Sequence, residues 1–279
     1  MPRFLFQTLA AGGLLLAAAG MPVQACTMAS WSGTSGSDGL SVGTPDNEHR
    51  RFRGQCSLKV VANGGGRYVE DNSPDSESLY FARFYVFVGD VDLSNGGWVD
   101  LFKAYGGGRQ PNEELGVRLQ AGDDGLELVL RAREGSQLVA SDPVPVRSGW
   151  QGVALSWKQA SRPGNGEAAL ELNGNPRAKL SRLNNGNSAI SLARMGSVAA
   201  NGARGEVYFD AFQSQRKTPT EALVAGDATG DEVLDPADLV AVVDEINGVS
   251  LADGQPDCNG DGTVDANDLD CLADRIISQ

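Results

Sequence analysis

Apolar and polar residues alternate along most of the chain before residue 217. Leu126, Leu128 and Leu130 are interleaved with Glu127, Val129 and Arg131, and Val153, Leu155 and Trp157 are spaced the same way, as are Leu170 and Leu172. A period of two sends successive side chains to opposite faces, so these stretches predict half-buried strands. The run "LYFARFYVFV" (79–88) is apolar on both faces and suits a central strand. "NGGGR", "SNGGW", "YGGGRQPN" and "NGNP" punctuate the pattern as turns or loops. No long stretch before residue 217 has helical periodicity, which leaves a sandwich or a barrel.

The period changes near the end of the chain. Leu239, Val242, Val243 and Ile246 fall on one helical face, and Leu269, Leu272 and Ile276 on another. Each helical stretch follows an acidic loop. In "DCNGDGTVDANDLDC", Asp257, Asn259, Asp261, Asp265 and Asp268 stand at positions 1, 3, 5, 9 and 12, and Gly262 at 6. This is the spacing of an EF-hand calcium loop, in which Thr263 at position 7 gives its backbone carbonyl. Thirty residues upstream, Asp227, Thr229, Asp231, Asp235 and Asp238 repeat the pattern, with Val233 at position 7. Eight of twenty positions are identical between residues 227–246 and 257–276. Glu232 replaces the turn glycine and Thr229 is neutral, so two calcium ions are expected, the second more tightly held. Pro256 directly precedes the second loop, Pro219 lies shortly before the first, and neither loop has an entering helix.

A tandem pair of loop-plus-exiting-helix units resembles the dockerin family, over roughly residues 225–279. The resemblance implies a small all-α calcium-binding domain and, as the family's best-known role, docking onto cohesin domains of polysaccharide-degrading assemblies. The familiar cohesin contacts use hydroxyl residues at loop positions 10 and 11. Here those positions hold Pro236, Ala237, Ala266 and Asn267, and the helices carry Asp244, Glu245 and Asp274 with only Arg275 as a base. The calcium chemistry carries over; the cohesin contact set does not.

A second resemblance concerns the larger part. "SGWQGVALSWKQASRPGNGEAALELNG" (148–174) and "GEVYFDAFQSQR" (205–216) are similar to segments of concanavalin-like and laminin-G-like jelly rolls. The expected architecture is an all-β sandwich, a concanavalin-like jelly roll over residues 26–216, then a linker at 217–224 and the dockerin-like unit at 225–279.

Residues 1–25 begin with Arg3, continue as a Leu- and Ala-rich run, and end with Val23 and Ala25 before Cys26. They read as a secretory signal peptide, with no other candidate membrane span. The expected location is secreted or extracellular, with the periplasm or a lipid-anchored outer-membrane form as lesser alternatives. Cys26 next to the cut is either lipidated or disulfide-bonded, since export permits both. The four cysteines divide into Cys26 with Cys56 and Cys258 with Cys271, one pair per part. Charge divides there too: fifteen of the 36 acidic residues but one of the 23 basic ones lie beyond residue 217. A chain with no basic excess is not expected to bind nucleic acid.

Catalytic constellations are sparse. His49 is the only histidine, and a lone loop histidine is expected to be solvated. The E-x-D-x-x-E signature of retaining jelly-roll glycosidases is absent, and Glu113 and Glu114, as strand neighbours, should face opposite ways. A lyase could draw on Tyr68, Tyr80, Tyr85, Tyr105 or Tyr208 together with an Arg or Lys. Trp31, Trp98 and Tyr105 are candidate sugar platforms, against the alternative that Trp98, Trp150 and Trp157 are core. The expected function is therefore a non-catalytic, carbohydrate-binding sandwich carrying a dockerin-like calcium module, whose partner is an extracellular glycan or a surface protein. The alternatives are a secreted glycoside hydrolase or lyase, and a cohesin-docked scaffold component.

Overall fold

The computed structural model describes residues 26–45, 48–107, 112–187, 189–220 and 222–278. The segment read as a signal peptide lies outside them. The described residues hold fourteen strands, all paired antiparallel: β1 (Gly33–Ser35), β2 (Leu40–Gly43), β3 (Ser57–Val61), β4 (Arg67–Asp71), β5 (Leu79–Phe87), β6 (Val91–Gly106), β7 (Glu113–Gly122), β8 (Gly125–Glu134), β9 (Gln137–Ala140), β10 (Val144–Pro145), β11 (Trp150–Lys158), β12 (Gly166–Leu172), β13 (Asn175–Leu183) and β14 (Ile190–Gln215). Sheet A runs β1-β4-β14-β6-β7-β8, with β9 and β10 both on the far edge of β8; sheet B runs β2-β3-β14-β5-β11-β12-β13.

The long strand β14 belongs to both sheets. It pairs with β4 and β6 in sheet A up to Gly205, then with β3 and β5 in sheet B from Glu206. Gly205 has φ +80, and a Cβ there would overlap the Asp90 carbonyl, so the crossing point needs glycine. The alternating residues read from the sequence supply the core between the sheets. Leu128, Leu130, Val153, Leu155, Trp157 and Leu170 are all buried there, with Tyr80, Phe84, Phe102 and Phe209. This is the β-sandwich expected of a jelly-roll pattern.

Beyond the sandwich come two helices, α1 (Pro236–Ile246) and α2 (Ala266–Ile277). Asp235 and Asp265 cap their first turns, and Asp238 and Asp268 close each capping box by accepting the cap residue's own N–H. The helices pack together through Val242 and Leu272, around Ala228, Ala252 and Cys258. Disulfides join Cys26 to Cys56 and Cys258 to Cys271, and no described cysteine is free.

This helical unit lies on the outer face of sheet B. There Phe52, Tyr85, Phe87, Trp150 and Tyr208 form a second buried cluster, with Phe52 stacked on Tyr85 at 3.7 Å between centroids. The backbone N–H of Trp150 donates to the Gly260 carbonyl at 2.9 Å, and that of Gly54 to the Gly254 carbonyl at 3.3 Å. Gly149 has φ +100 and its α-carbon passes so close to the Gly260 carbonyl that a Cβ would overlap it. Arg51 forms a buried ion pair with Glu245, and Arg50 reaches the Gly262 carbonyl at 3.4 Å while pairing with Asp90. Of the three tryptophans weighed as core, only Trp157 lies between the sheets; Trp150 is buried under the helical unit and Trp98 stands on the outer face of sheet A.

Candidate functional site

The outer face of sheet A carries a charged network where an exposed sheet face would ordinarily hold solvated side chains. Opposite Val99, Phe102, Leu115 and Val117, which face the core, stand Asp100, Lys103, Glu113, Arg118 and Arg131. Asp100 is 1% exposed and is met by Lys103 at 2.6 Å, Arg118 at 2.7 Å and Arg131 at 3.2 Å. Lys103 also reaches Glu113 at 3.1 Å, and Arg131 pairs with the same glutamate. Burial alone would raise the Asp100 carboxyl; the hydrogen bond from Arg118 and the charges of Arg131 and Lys103 hold it below the usual carboxylate range.

Aromatic rings flank the network. The Arg118 guanidinium lies 3.7 Å from the centre of the Trp98 ring. On the opposite side, Arg194 lies 4.6 Å from the Tyr68 ring and 5.0 Å from the Tyr105 ring, and donates to Glu70 at 2.9 Å. Cations over ring faces fix both partners in place. Burial pushes the Tyr105 hydroxyl up from its ordinary value.

Asp100 and Glu113 are the paired carboxylates that the sequence did not display, because they lie on neighbouring strands rather than in one motif. Two bonds to the single Lys103 nitrogen keep their oxygens less than about 6 Å apart, within reach of the roughly 5–5.5 Å spacing of a retaining glycosidase pair. The space between them is filled by the Lys103 ammonium. Both carboxylates are ion-paired, whereas glycoside hydrolysis needs one of the two protonated.

Three sequence expectations are corrected. Glu113 and Glu114 do not face opposite ways: Glu113 meets Lys103 and Arg131, and Glu114 meets Arg133 at 3.5 Å. A register shift between Ala104 and Tyr105 breaks the alternation there. His49 is not solvated; it is 8% exposed, hydrogen-bonded to Ser41 at 3.0 Å and set edge-on to Tyr208. Trp31 is not an open platform, because it packs on Phe212 at 5.0 Å between centroids and against the core. Of the five tyrosines, Tyr80 is in the core, Tyr85 and Tyr208 lie under the helical unit, and Tyr68 and Tyr105 share the outer face of sheet A.

The two acidic loops have closely matching hydrogen-bond patterns. Asp227 accepts from the N–H groups of Gly230, Asp231 and Glu232, and Asp257 from those of Gly260, Asp261 and Gly262. Asp238 accepts from Thr229, and Asp268 from Asn259. Glu232 has φ +69 where Gly262 has φ +90, so the first loop makes the same sharp turn with a residue poorly suited to it. Among the described residues no three His, Cys, Asp or Glu side chains gather as a metal cage by themselves. The donor set nevertheless suits a hard cation. Asp227, Asp238, Asp257 and Asp268 are buried and none has an ion-pair partner among the described residues, while Thr229, Asn259 and the carbonyls of Val233 and Thr263 are neutral oxygen donors. Asp231, Asp235, Asp261 and Asp265 would supply the remaining carboxylates. Burial, with the charges of Asp268 and Asp261 adding, pushes the Asp257 carboxyl up to about 7.

No family model matches the chain, and no curated protein matches it. Among solved structures, the chain is similar to the cellulose induced protein Cip1, at 15% identity and a TM-score of 0.46, over 67% of this chain and 95% of that one. It is similar to an alginate lyase from a Chlorella virus, at 17% identity and a TM-score of 0.46, over 67% of this chain and 93% of that one. The binding domain of botulinum neurotoxin DC matches at 10% identity and a TM-score of 0.43, over 64% of this chain but only 43% of that one. Likenesses this distant carry no activity to this chain.

Proposed function

We propose that the chain is a secreted, non-catalytic carbohydrate-binding protein, whose sandwich binds glycan on the outer face of sheet A and whose dockerin-type unit binds two calcium ions. The Lys103 ammonium seated between Asp100 and Glu113 carries the non-catalytic part of the reading. Trp98, Tyr68 and Tyr105 each have one ring face under a guanidinium, so a pyranose ring would stack on the opposite face or on the guanidinium itself. The N–H groups that Arg118 and Arg194 do not spend on Asp100 and Glu70 would be donors to hydroxyl or acidic groups. Such a platform gives modest affinity, roughly millimolar to micromolar, or about 4–8 kcal/mol. In the helical unit, Asp227, Thr229, Asp231, Val233, Asp235 and Asp238 would hold one ion, and Asp257, Asn259, Asp261, Thr263, Asp265 and Asp268 the other. Bound calcium would neutralise carboxylates that are otherwise buried without counter-charge. Two disulfides fit an oxidising compartment, and no described helix is long and apolar enough to cross a membrane.

One observation favours a polysaccharide lyase as the second reading: Tyr105 and Tyr68 flank Arg194, a plausible base beside a carboxylate-neutralising cation. The raised Tyr105 hydroxyl works against it, since a base must give up its proton. A cohesin-docked role has less support, because the second loop is already engaged on sheet B through Gly260.

The test is calorimetry of the full chain against neutral and acidic oligosaccharides, with product assays on the same mixtures. Binding that Trp98→Ala weakens at least tenfold, without product, is expected. Release of reducing or unsaturated ends would overturn the non-catalytic reading. Adding a chelator should abolish amide-exchange protection in α1 and α2; unchanged protection would sink the calcium assignment.

A further inference from the structure

A polar recess of about 380 Å³ opens at the seam where the second loop meets sheet B. Arg147 and Arg177 line it from the sandwich and Asn259 and Gly260 from the loop, with Gln151 and Asn173 between them. No carboxylate lines the recess, on a chain with a formal net charge of −13. Neither guanidinium has an ion-pair partner among the described residues, in contrast to Arg50, Arg51, Arg118, Arg131 and Arg194. The loop carboxylates on either side of Asn259 and Gly260 are turned to the loop itself: Asp257 accepts from the N–H groups of Gly260, Asp261 and Gly262, and Asp261 from that of Thr263.

The amides of the recess are held in place. Gln151 is 5% exposed, donates to the Arg147 carbonyl at 3.2 Å and accepts from Asn173 at 3.1 Å. The Asn173 carbonyl oxygen accepts from the Gly152 N–H at 2.7 Å. Each of these two amides spends one of its two N–H donors in this chain of bonds, which leaves one apiece for a ligand. Trp150, itself buried, borders both this recess and an adjoining one of about 440 Å³, as do Asn173, Asn259 and Gly260.

Two guanidiniums without counter-charge suit a carboxylate, which arginine grips in a planar, bidentate fashion. Fixed amide donors suit the hydroxyl edge of a sugar ring. We propose that the seam is a second ligand site, for a uronate-type sugar, built jointly by the sandwich and the second acidic loop. It lies apart from the outer face of sheet A and does not depend on the reading of that face. Because the Trp150 N–H holds the Gly260 carbonyl, the site exists only while the helical unit is seated.

The test uses the full chain in saturating calcium, with Trp98→Ala to remove the sheet A platform. Trigalacturonate is titrated calorimetrically, beside its fully methyl-esterified form. The Trp98→Ala chain is expected to bind the acid, with the ester at least tenfold weaker. Adding Arg147→Ala and Arg177→Ala should weaken acid binding at least tenfold. Arg162→Ala with Arg182→Ala, exposed arginines away from the seam, should change nothing. Equal affinity with and without Arg147 and Arg177, an equal loss from the control pair, or no binding of the acid each overturns the seam site. If Trp98→Ala removes no binding from the parent chain, the sheet A reading fails while this one stands.

Discussion

Arg51 and Glu245 tie the sandwich to the helical unit through an ion pair whose side chains are 3% and 10% exposed. Arg51 also donates to the Gly54 carbonyl at 2.6 Å and the Ala252 carbonyl at 3.4 Å, and Glu245 accepts from the Ala252 N–H at 2.9 Å. Replacing Arg51 by Met keeps most of the stem volume but leaves a buried carboxylate with a single N–H partner. Breaking a buried pair on one side costs about 3–5 kcal/mol, because the remaining charge has lost both water and counter-ion. Arg51→Met/Glu245→Met removes both charges together, so the cycle should show a coupling energy of about 2–3 kcal/mol. The loss should fall on the seating of the helical unit rather than on the inter-sheet core. Urea unfolding gives the energies, and hydrogen exchange gives their location: α1 and α2 should lose protection while β6 and β7 keep theirs. Single variants costing less than about 1 kcal/mol, or protection lost evenly in β6 and α1, would refute the argument.

Gly149→Ala should cost about 1–3 kcal/mol, since φ +100 and the Gly260 carbonyl both exclude a side chain; a red shift in tryptophan emission would report the unseated Trp150, and an unchanged spectrum and midpoint would count against the close approach. Glu232→Gly should stabilise the first loop by roughly 1 kcal/mol by relieving φ +69, read as a higher Tm. Replacing Cys258 and Cys271 together by alanine should cost about 3 kcal/mol by the loop-entropy account, measured by denaturation in saturating calcium; a negligible loss would show that the bridge does not constrain the unfolded chain. Burial raises the Asp210 carboxyl to about 6, against the pull of N–H bonds from Phe52, Arg53 and Ala211. Its folded-state value exceeds the unfolded value of roughly 3.9, so the folded form holds this proton more tightly. That contribution is full below about pH 4 and is lost as pH rises through about 6, amounting to roughly 2–3 kcal/mol. Asp210→Asn should flatten the stability profile over that interval, and an identical slope in both proteins would refute the assignment.

The strands were legible because burial on one face imposes a period of two, and Leu128, Leu130, Val153 and Leu155 obey it. The two loop-plus-helix units were legible because their repeat is local: within twelve residues Asp227 and Asp257 gather the same run of N–H groups, and Asp235 and Asp265 cap the helices that follow. The seating of the helical unit was not, since Gly149 and Gly260 meet across more than a hundred residues and a glycine does not announce its neighbour. One signal was available: β5 is apolar on both faces, and its outward Tyr85 and Phe87 are the residues the helical unit covers. The sheet A network was hidden for a different reason. Asp100 and Glu113 belong to separate strands, and the register shift beside Tyr105 undoes the alternation on which the reading of Glu113 and Glu114 rested.

Strand β14 has a consequence for the order in which this protein can acquire its structure. It sits inside both sheets, between β4 and β6 in one and between β3 and β5 in the other. Until residues 190–215 are in place, each sheet is divided into halves with open edges, and the hairpins already made have nothing to join them. Pairings so distant in sequence form slowly and leave sticky edges exposed meanwhile. A ribosome that has delivered the first seven-tenths of this chain has delivered neither sheet, so assembly of the sandwich must wait for the late arrival of a single strand.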